Sequence, residues 1–210
     1  MVMNYKYIIS LFLIVLMSGC GKSLNLQVDT AVPTPLASQL PLVVGVYYND
    51  NFKNFIFKDS SDSREDWTID NRSSRILLFN DILPSMFKTV NSVNNVTSTD
   101  SLVDGILEPE VIEMQVALPE ETHSDMFEAW IKYGIKLYNP SGKIISEWQI
   151  IGYGKTHTAM FKNKEKGLTT AINMALRDIG AKMVLDFPRA PGIKTWLSTK
   201  IDCSQFSNIC

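Results

Sequence analysis

A hairpin pattern in the middle of the chain constrains the fold more than any other feature. Apolar side chains occupy alternate positions from Phe127 to Leu137, and Glu128, Lys132 and Lys136 are among the residues between them. This period of two is typical of a strand with one buried face. The turn sequence Asn139-Pro140-Ser141-Gly142 follows. Residues 143–153 then return with a second apolar set on one face: Ile144, Trp148 and Ile150. The pattern predicts a long antiparallel hairpin.

The flanking segments predict an α+β fold. Strands are expected at residues 42–48, 54–58, 67–69 and 103–118, the last with Ile112, Met114, Val116 and Leu118 on alternate positions. Apolar spacing of three and four residues predicts helices over about 74–87 and 164–185, the second ending before Pro188. We therefore expect a two-layer sandwich, in which a mostly antiparallel sheet carries two helices on one face. We expect residues 40–200 to form a single domain with this fold.

The N-terminus predicts export. Residues 8–17 are apolar except for Ser10, and Lys6 is the charge that precedes them. Ten helical residues rise about 15 Å, roughly half of the ~30 Å hydrocarbon core, which favours a secretory signal over a membrane span. The segment ends in Leu16-Met17-Ser18-Gly19-Cys20.

That ending resembles the lipobox of bacterial lipoproteins. The resemblance implies that residues 1–19 are a signal peptide, that Cys20 carries lipid, palmitate included, and that the chain is tethered to a membrane. Residues 20–39, rich in Ser, Thr and Pro, indicate a flexible tether. Gly21 and Lys22 follow Cys20 where inner-membrane lipoproteins of enterobacteria have Asp, which implies the outer membrane, facing the periplasm. The alternatives are an uncleaved N-terminal helix with an incidental cysteine, and a cleaved signal without lipid.

The body also resembles a group of envelope lipoproteins in the order of its elements. A strand beginning Asp104-Gly105-Ile106, the turn at residues 139–142 and a closing amphipathic helix are similar to the curli-secretion-channel lipoproteins and the N-terminal domain of TolB, with penicillin-binding-protein activator lipoproteins as more distant relatives. The resemblance implies a role in envelope assembly.

Motifs for chemistry are weak in this chain. Gly152-Tyr153-Gly154-Lys155-Thr156 ends like a phosphate loop, but the first glycine of that motif would stand at Gln149. His123 and His157 have no cysteine or carboxylate at metal-ligand spacing. Without Lys6 the chain has 19 basic and 22 acidic residues, which disfavours a nucleic-acid partner. We predict a protein that is not an enzyme and takes no metal and no cofactor.

Two further cysteines, Cys203 and Cys210, lie in the C-terminal tail at residues 201–210. In an oxidising compartment they predict a disulfide that closes a small loop, and the alternative is a pair of free thiols.

The hairpin also predicts a binding surface. Trp130, Lys132, Lys136 and Tyr138 fall on the face opposite Ile131. If helices cover the Ile131 face, these aromatic and cationic side chains are candidates for partner binding, unless another segment covers them. We expect a non-enzymatic lipoprotein that binds another envelope protein, or copies of itself, in a cell-envelope complex. The alternative is an auxiliary subunit of a transport system that holds lipid or another apolar ligand between sheet and helices.

Overall fold

The computed structural model describes residues 22–25, 39–61, 64–100, 102–161 and 163–202. Cys20, Cys203 and Cys210 lie outside these residues, so the lipidation and the disulfide stay predictions.

Eight strands and five α-helices are assigned within the described residues. The strands are β1 (Lys22–Asn25), β2 (Leu40–Val46), β3 (Phe57–Ser61), β4 (Arg64–Asp70), β5 (Phe87–Ser92), β6 (Gly105–Ala117), β7 (Met126–Tyr138) and β8 (Ile144–His157). The helices are α1 (Asp50–Asn54), α2 (Arg72–Met86), α3 (Pro119–Thr122), α4 (Lys164–Asp186) and α5 (Ile193–Ser198).

The main sheet has five strands in the order β5-β2-β6-β7-β8. Strands β6, β7 and β8 are antiparallel neighbours, as the hairpin pattern predicts. Strand β2 runs parallel to both β5 and β6. The α+β class is confirmed, but the sheet is mixed and not mostly antiparallel, because β2 is inserted between two strands that follow it in the chain.

A second sheet has three strands in the order β1-β4-β3. Strand β1 pairs with β4 in parallel, with Lys22 opposite Trp67 and Asn25 opposite Asp70. Four residues of the segment predicted as a tether are thus paired with the body.

The two long helices, α2 and α4, pack on the same face of the main sheet. The apolar stripe predicted for α4 is confirmed, since the side chains at all six positions are fully buried: Leu168, Ala171, Ile172, Ala175, Ile179 and Met183. On α2, Phe79 contacts Tyr133 of β7 with ring centroids 5.7 Å apart. The side of β7 that carries Ile131 and Tyr133 is therefore the core side.

A buried arginine joins the helices at one end of this core. Arg75 is 0% exposed. Its Nε donates to the carbonyl of Phe52 at 2.7 Å and its Nη2 to the carbonyl of Phe55 at 2.7 Å, while Nη1 donates to Asn71 at 2.6 Å. The guanidinium thus satisfies carbonyls at the C-terminal end of α1, where the helix dipole favours a cation.

Two apolar residues lie on the opposite side of the sheet from the side that alternation predicts. Ile112 is 44% exposed and Ile144 is 48% exposed. A register shift between Val111 and Glu113 inserts one residue into β6, and a second shift lies where β8 begins. Because side chains alternate with a period of two, one extra residue moves a neighbour to the other face.

Candidate binding site on the open sheet face

The face of β6, β7 and β8 that points away from the helices, which we call the open face, carries the candidate site. On β7 the odd-numbered side chains from Phe127 to Leu137 are at most 3% exposed. At the even-numbered positions, the four predicted partner-binding residues are half-buried: Trp130, Lys132, Lys136 and Tyr138. The structure thus places the predicted residues on one face, as expected.

A cleft of about 230 Å³ lies in the middle of this face. It is lined by Glu113, Gln115, Trp130, Ile131, Lys132 and Ile151. Cross-strand pairing makes the cleft. On β6, Glu113 stands opposite Lys132 of β7 and Gln115 stands opposite Trp130 of β7. On β8, Ile151 stands opposite the same lysine. Such neighbours lie about 5 Å apart on a rigid sheet.

Aromatic and aliphatic surfaces line one side of the cleft region. The ring of Trp130 lies against that of Tyr153, with centroids 5.2 Å apart and planes inclined by 33°. Ile151 is 50% exposed. Ile112 lies over Gly134, the next position on this face after Lys132. Exposed aromatic and aliphatic side chains that lie together in this way are typical of interaction sites.

The charged groups of the cleft are one carboxylate and one ammonium. The amide of Gln115 donates to the Glu113 carboxylate. Within the described ranges, no ion pair or hydrogen bond is assigned to the Lys132 ammonium. Nearby, partial burial and the Glu128 carboxylate raise the pKa of the Tyr153 hydroxyl. The cleft therefore carries no net charge and keeps donors and acceptors available.

Lys136 and Tyr138 lie farther along β7 and are already engaged. The Lys136 ammonium is 3.2 Å from Glu110, and this hydrogen bond raises the pKa of the lysine. The Tyr138 hydroxyl donates to Glu108 at 2.7 Å. Burial, followed by the bond to Glu108, raises the pKa of Tyr138. The predicted group is thus split between a cleft and a hydrogen-bonded network, and only Trp130 and Lys132 line the cleft.

The edge of β8 is closed by α4. The carboxylate of Asp178 accepts from the backbone N–H of Tyr153 at 3.0 Å, and the Lys182 ammonium donates to the carbonyl of Ile151 at 2.7 Å. These backbone groups point outward from an edge strand, where they would otherwise attract another strand. The Asp178–Lys182 ion pair, at 2.7 Å, therefore blocks strand addition at this position.

The glycines of the apparent phosphate loop have a packing role. A Cβ on Gly152 would lie 2.2 Å from the carbonyl oxygen of Ala175, and one on Gly154 would lie 1.9 Å from that of Ala171. Both positions face α4, so the glycines let the helix backbone approach the sheet.

The histidines lie apart from the cleft. His157 Nδ1 accepts from the backbone N–H of Ala159 at 3.0 Å. Over the part of the chain that the structure describes, no group of three or more His, Cys, Asp or Glu residues could hold a metal ion. Glu120, on the short helix α3 before β7, pairs with Lys164 at 2.8 Å. None of the helices described is both long enough and apolar enough to cross a membrane.

Glu113, Gln115, Ile151 and Tyr153 complete the site and were not predicted. Their places depend on which residues of three strands stand opposite one another, and the bulge at Ile112 changes that register. The alternation of β8 is the signal that could have indicated Ile151 and Tyr153.

Neither the protein-family models nor the curated proteins match this chain. Solved structures do. A Xanthomonas campestris protein of family DUF330 gives a TM-score of 0.53 at 12% identity, over 88% of this chain and 99% of its own. A minor lipoprotein from Acinetobacter baumannii gives 0.43 at 8% identity, over 73% and 97%, and a Chlamydia trachomatis protein gives 0.42 at 8%, over 77% and 100%. The first of these likenesses shows a shared fold.

Proposed function

We propose that this chain is a lipid-anchored lipoprotein of the bacterial envelope and acts as a non-enzymatic binding and assembly component. The N-terminal sequence supports the anchor, because an apolar segment too short to span a bilayer ends in Leu16-Met17-Ser18-Gly19-Cys20. The residues after Cys20 support the outer membrane, with the body facing the periplasm. Several acyl chains on one cysteine would hold the body stably at the membrane surface.

The open face carries the binding part of the proposal. Helices α2 and α4 cover one side of the sheet, whereas the other side presents Trp130, Tyr153 and Ile151 to solvent together with charged groups. Exposed aromatic and aliphatic side chains that lie together mark interaction sites more often than scattered ones do. The partner is another envelope protein or a second copy of this chain.

Because α4 closes the edge of β8, the open face is a better docking surface than that edge. A partner strand that added to β8 at residues 151–153 would have to displace both Asp178 and Lys182 from the backbone groups they bind. The open face requires no such displacement.

The alternative, an apolar ligand held between sheet and helices, has less support. Tyr133 of β7 is in contact with the rings of Phe52 and Phe79, at centroid distances of 5.9 and 5.7 Å. Ile131 and Ile179 are at most 1% exposed. Close-packed side chains occupy this layer, so a ligand would have to separate them.

Site-specific photo-crosslinking in intact cells tests the docking surface. A photoreactive residue replaces Ile151 on the open face, and the matched control replaces Leu185 of α4, which is 61% exposed. We expect a crosslinked protein, or a crosslinked second copy, from position 151 and none from position 185. Equal products from both positions, or none from 151, would contradict the open face as the docking surface.

Fractionation tests the anchor separately. The wild type is expected in the outer-membrane fraction, and Cys20→Ala is expected to be lost from that fraction. Retention of Cys20→Ala in the outer membrane at undiminished yield would contradict the proposed lipid anchor.

A further inference from the structure

The size of the cleft limits what enters it. Its volume is about 230 Å³, below the roughly 300–1,000 Å³ of sites that enclose a whole drug-sized ligand. It is open to solvent, so a larger molecule can continue from it across the sheet. One side chain of a partner, and not a whole cofactor or lipid, therefore matches the space.

The charges of the cleft select the kind of side chain. A carboxylate of the partner would be repelled by Glu113, and a guanidinium or an ammonium would be repelled by Lys132. An aliphatic side chain would cover both charged groups and the Gln115 amide without offering a hydrogen bond, which carries a desolvation penalty. The anchor that fits is uncharged and has a polar group that both donates and accepts.

The apolar surface of the cleft favours an aromatic ring on the partner's side chain. Trp130 and Ile151 offer flat and aliphatic contacts, and aromatic pairs gain from offset or edge-to-face packing. A phenol covers this surface while its hydroxyl accepts from the Lys132 ammonium and donates to the Glu113 carboxylate. A sugar ring offers similar hydroxyls, but it would leave the neighbouring Ile112 uncovered, whereas a polypeptide that continues across the face would bury it.

We propose that the cleft receives a tyrosine side chain from an extended segment of the partner protein. The proposal rests on the open face being the docking surface. Tyrosine side chains are common anchors at the centre of protein interfaces, since they bury a large ring at low cost in conformational entropy.

Single-residue probes test the proposal on the purified full chain. N-acetyl-tyrosinamide, -leucinamide and -argininamide, and methyl glucoside, are titrated while the indole N–H signals are followed by NMR. Trp67, Trp148 and Trp196 are buried and serve as internal references, and Trp130→Phe assigns the signal of Trp130. We expect saturable binding of the tyrosine probe in the millimolar range, with movement of the Trp130 signal.

Variants separate the contributions. Trp130→Ala is expected to abolish binding of the tyrosine probe. Glu113→Gln and Lys132→Met are each expected to weaken it by about 2- to 10-fold, the effect of one hydrogen bond. Lys155→Met, on the same face but outside the cleft lining, is the matched control and is expected to bind as the wild type does.

Three results would overturn the proposal: no saturable binding of the tyrosine probe, equal or tighter binding of any other probe, or binding that survives Trp130→Ala. The crosslink at position 151 keeps the two proposals apart. If a protein is crosslinked there while the tyrosine probe fails, only the tyrosine anchor is wrong. If position 151 captures nothing, the docking function itself is contradicted.

Discussion

Replacing Gly154 by alanine tests the close packing of α4 on β8. The new Cβ would lie 1.9 Å from the carbonyl oxygen of Ala171, 2.5 Å from the backbone nitrogen of Ala175 and 2.8 Å from Met174 Cβ. The first two are helix backbone and cannot rotate away. Because ordinary contact begins near 3.4 Å, the helix has to move away from the sheet by about 1.5 Å. This movement opens gaps between α4 and the sheet, and a gap of 0.5–1 Å already loses about a quarter to a half of the dispersion energy of a contact. We expect a loss of about 3 kcal/mol, at the upper end for overpacked cores.

Urea denaturation measures this loss. With a slope of about 2 kcal/mol/M for a chain of this size, a loss of about 3 kcal/mol lowers the midpoint by about 1.5 M. Gly134→Ala is the matched control, because its Cβ would meet only the side chain of Ile112, at 3.1 Å, and alanine is preferred to glycine inside a strand. If Gly154→Ala unfolds within 0.5 M of the wild type, the close helix–sheet contact is not a determinant of stability.

Three further changes probe the core and the sheet edge. Arg75→Met leaves the carbonyl of Phe52 without its donor and is expected to lower the free energy of unfolding by about 3 kcal/mol, measured by the same denaturation; a loss below about 1 kcal/mol would contradict a structural role for the guanidinium. Burial raises the pKa of the Tyr133 hydroxyl. The stability that this shift contributes is therefore complete below the unfolded pKa of about 10, and the free energy of unfolding falls as pH rises above that value. Tyr133→Phe is expected to flatten this decline in the same denaturation, and an unchanged decline would argue against Tyr133 as its cause. Asp178→Ala frees the N–H of Tyr153 at the edge of β8 and is expected to increase self-association in sedimentation velocity, whereas an unchanged distribution would show that the helix alone closes the edge.

The antiparallel half of the fold could be predicted from the sequence because its information is local. Alternation along β7 determines which of its side chains face the helices, and the turn at residues 139–142 brings β8 back beside it. The same alternation fails at Ile112 and Ile144, since a bulge depends on pairing with another strand and leaves no trace in the spacing of apolar residues.

The parallel half could not be predicted for a different reason. Strand β5 was missed because Phe87 also fits the apolar spacing of α2, and the chain passes directly from that helix into the strand. The insertion of β2 between β5 and β6 is a matter of long-range pairing that no local pattern encodes. The candidate site was found in part, since Trp130 and Lys132 follow from alternation, whereas Glu113 comes from the other side of the register shift.

The position of β2 in the sheet also determines the order in which the sheet can form. The hairpin between β7 and β8 closes a short loop, whereas Val44 of β2 pairs with Gly105, 61 positions later. Closing the longer loop costs about 2 kcal/mol more in chain entropy, and distant pairings of this kind slow folding. Strands β6, β7 and β8 can therefore assemble first and present an edge that β2 joins later. Within the main sheet, the strand nearest the proposed anchor thus enters only after the antiparallel half has formed, and β5, which pairs with β2 alone, enters with it or after it.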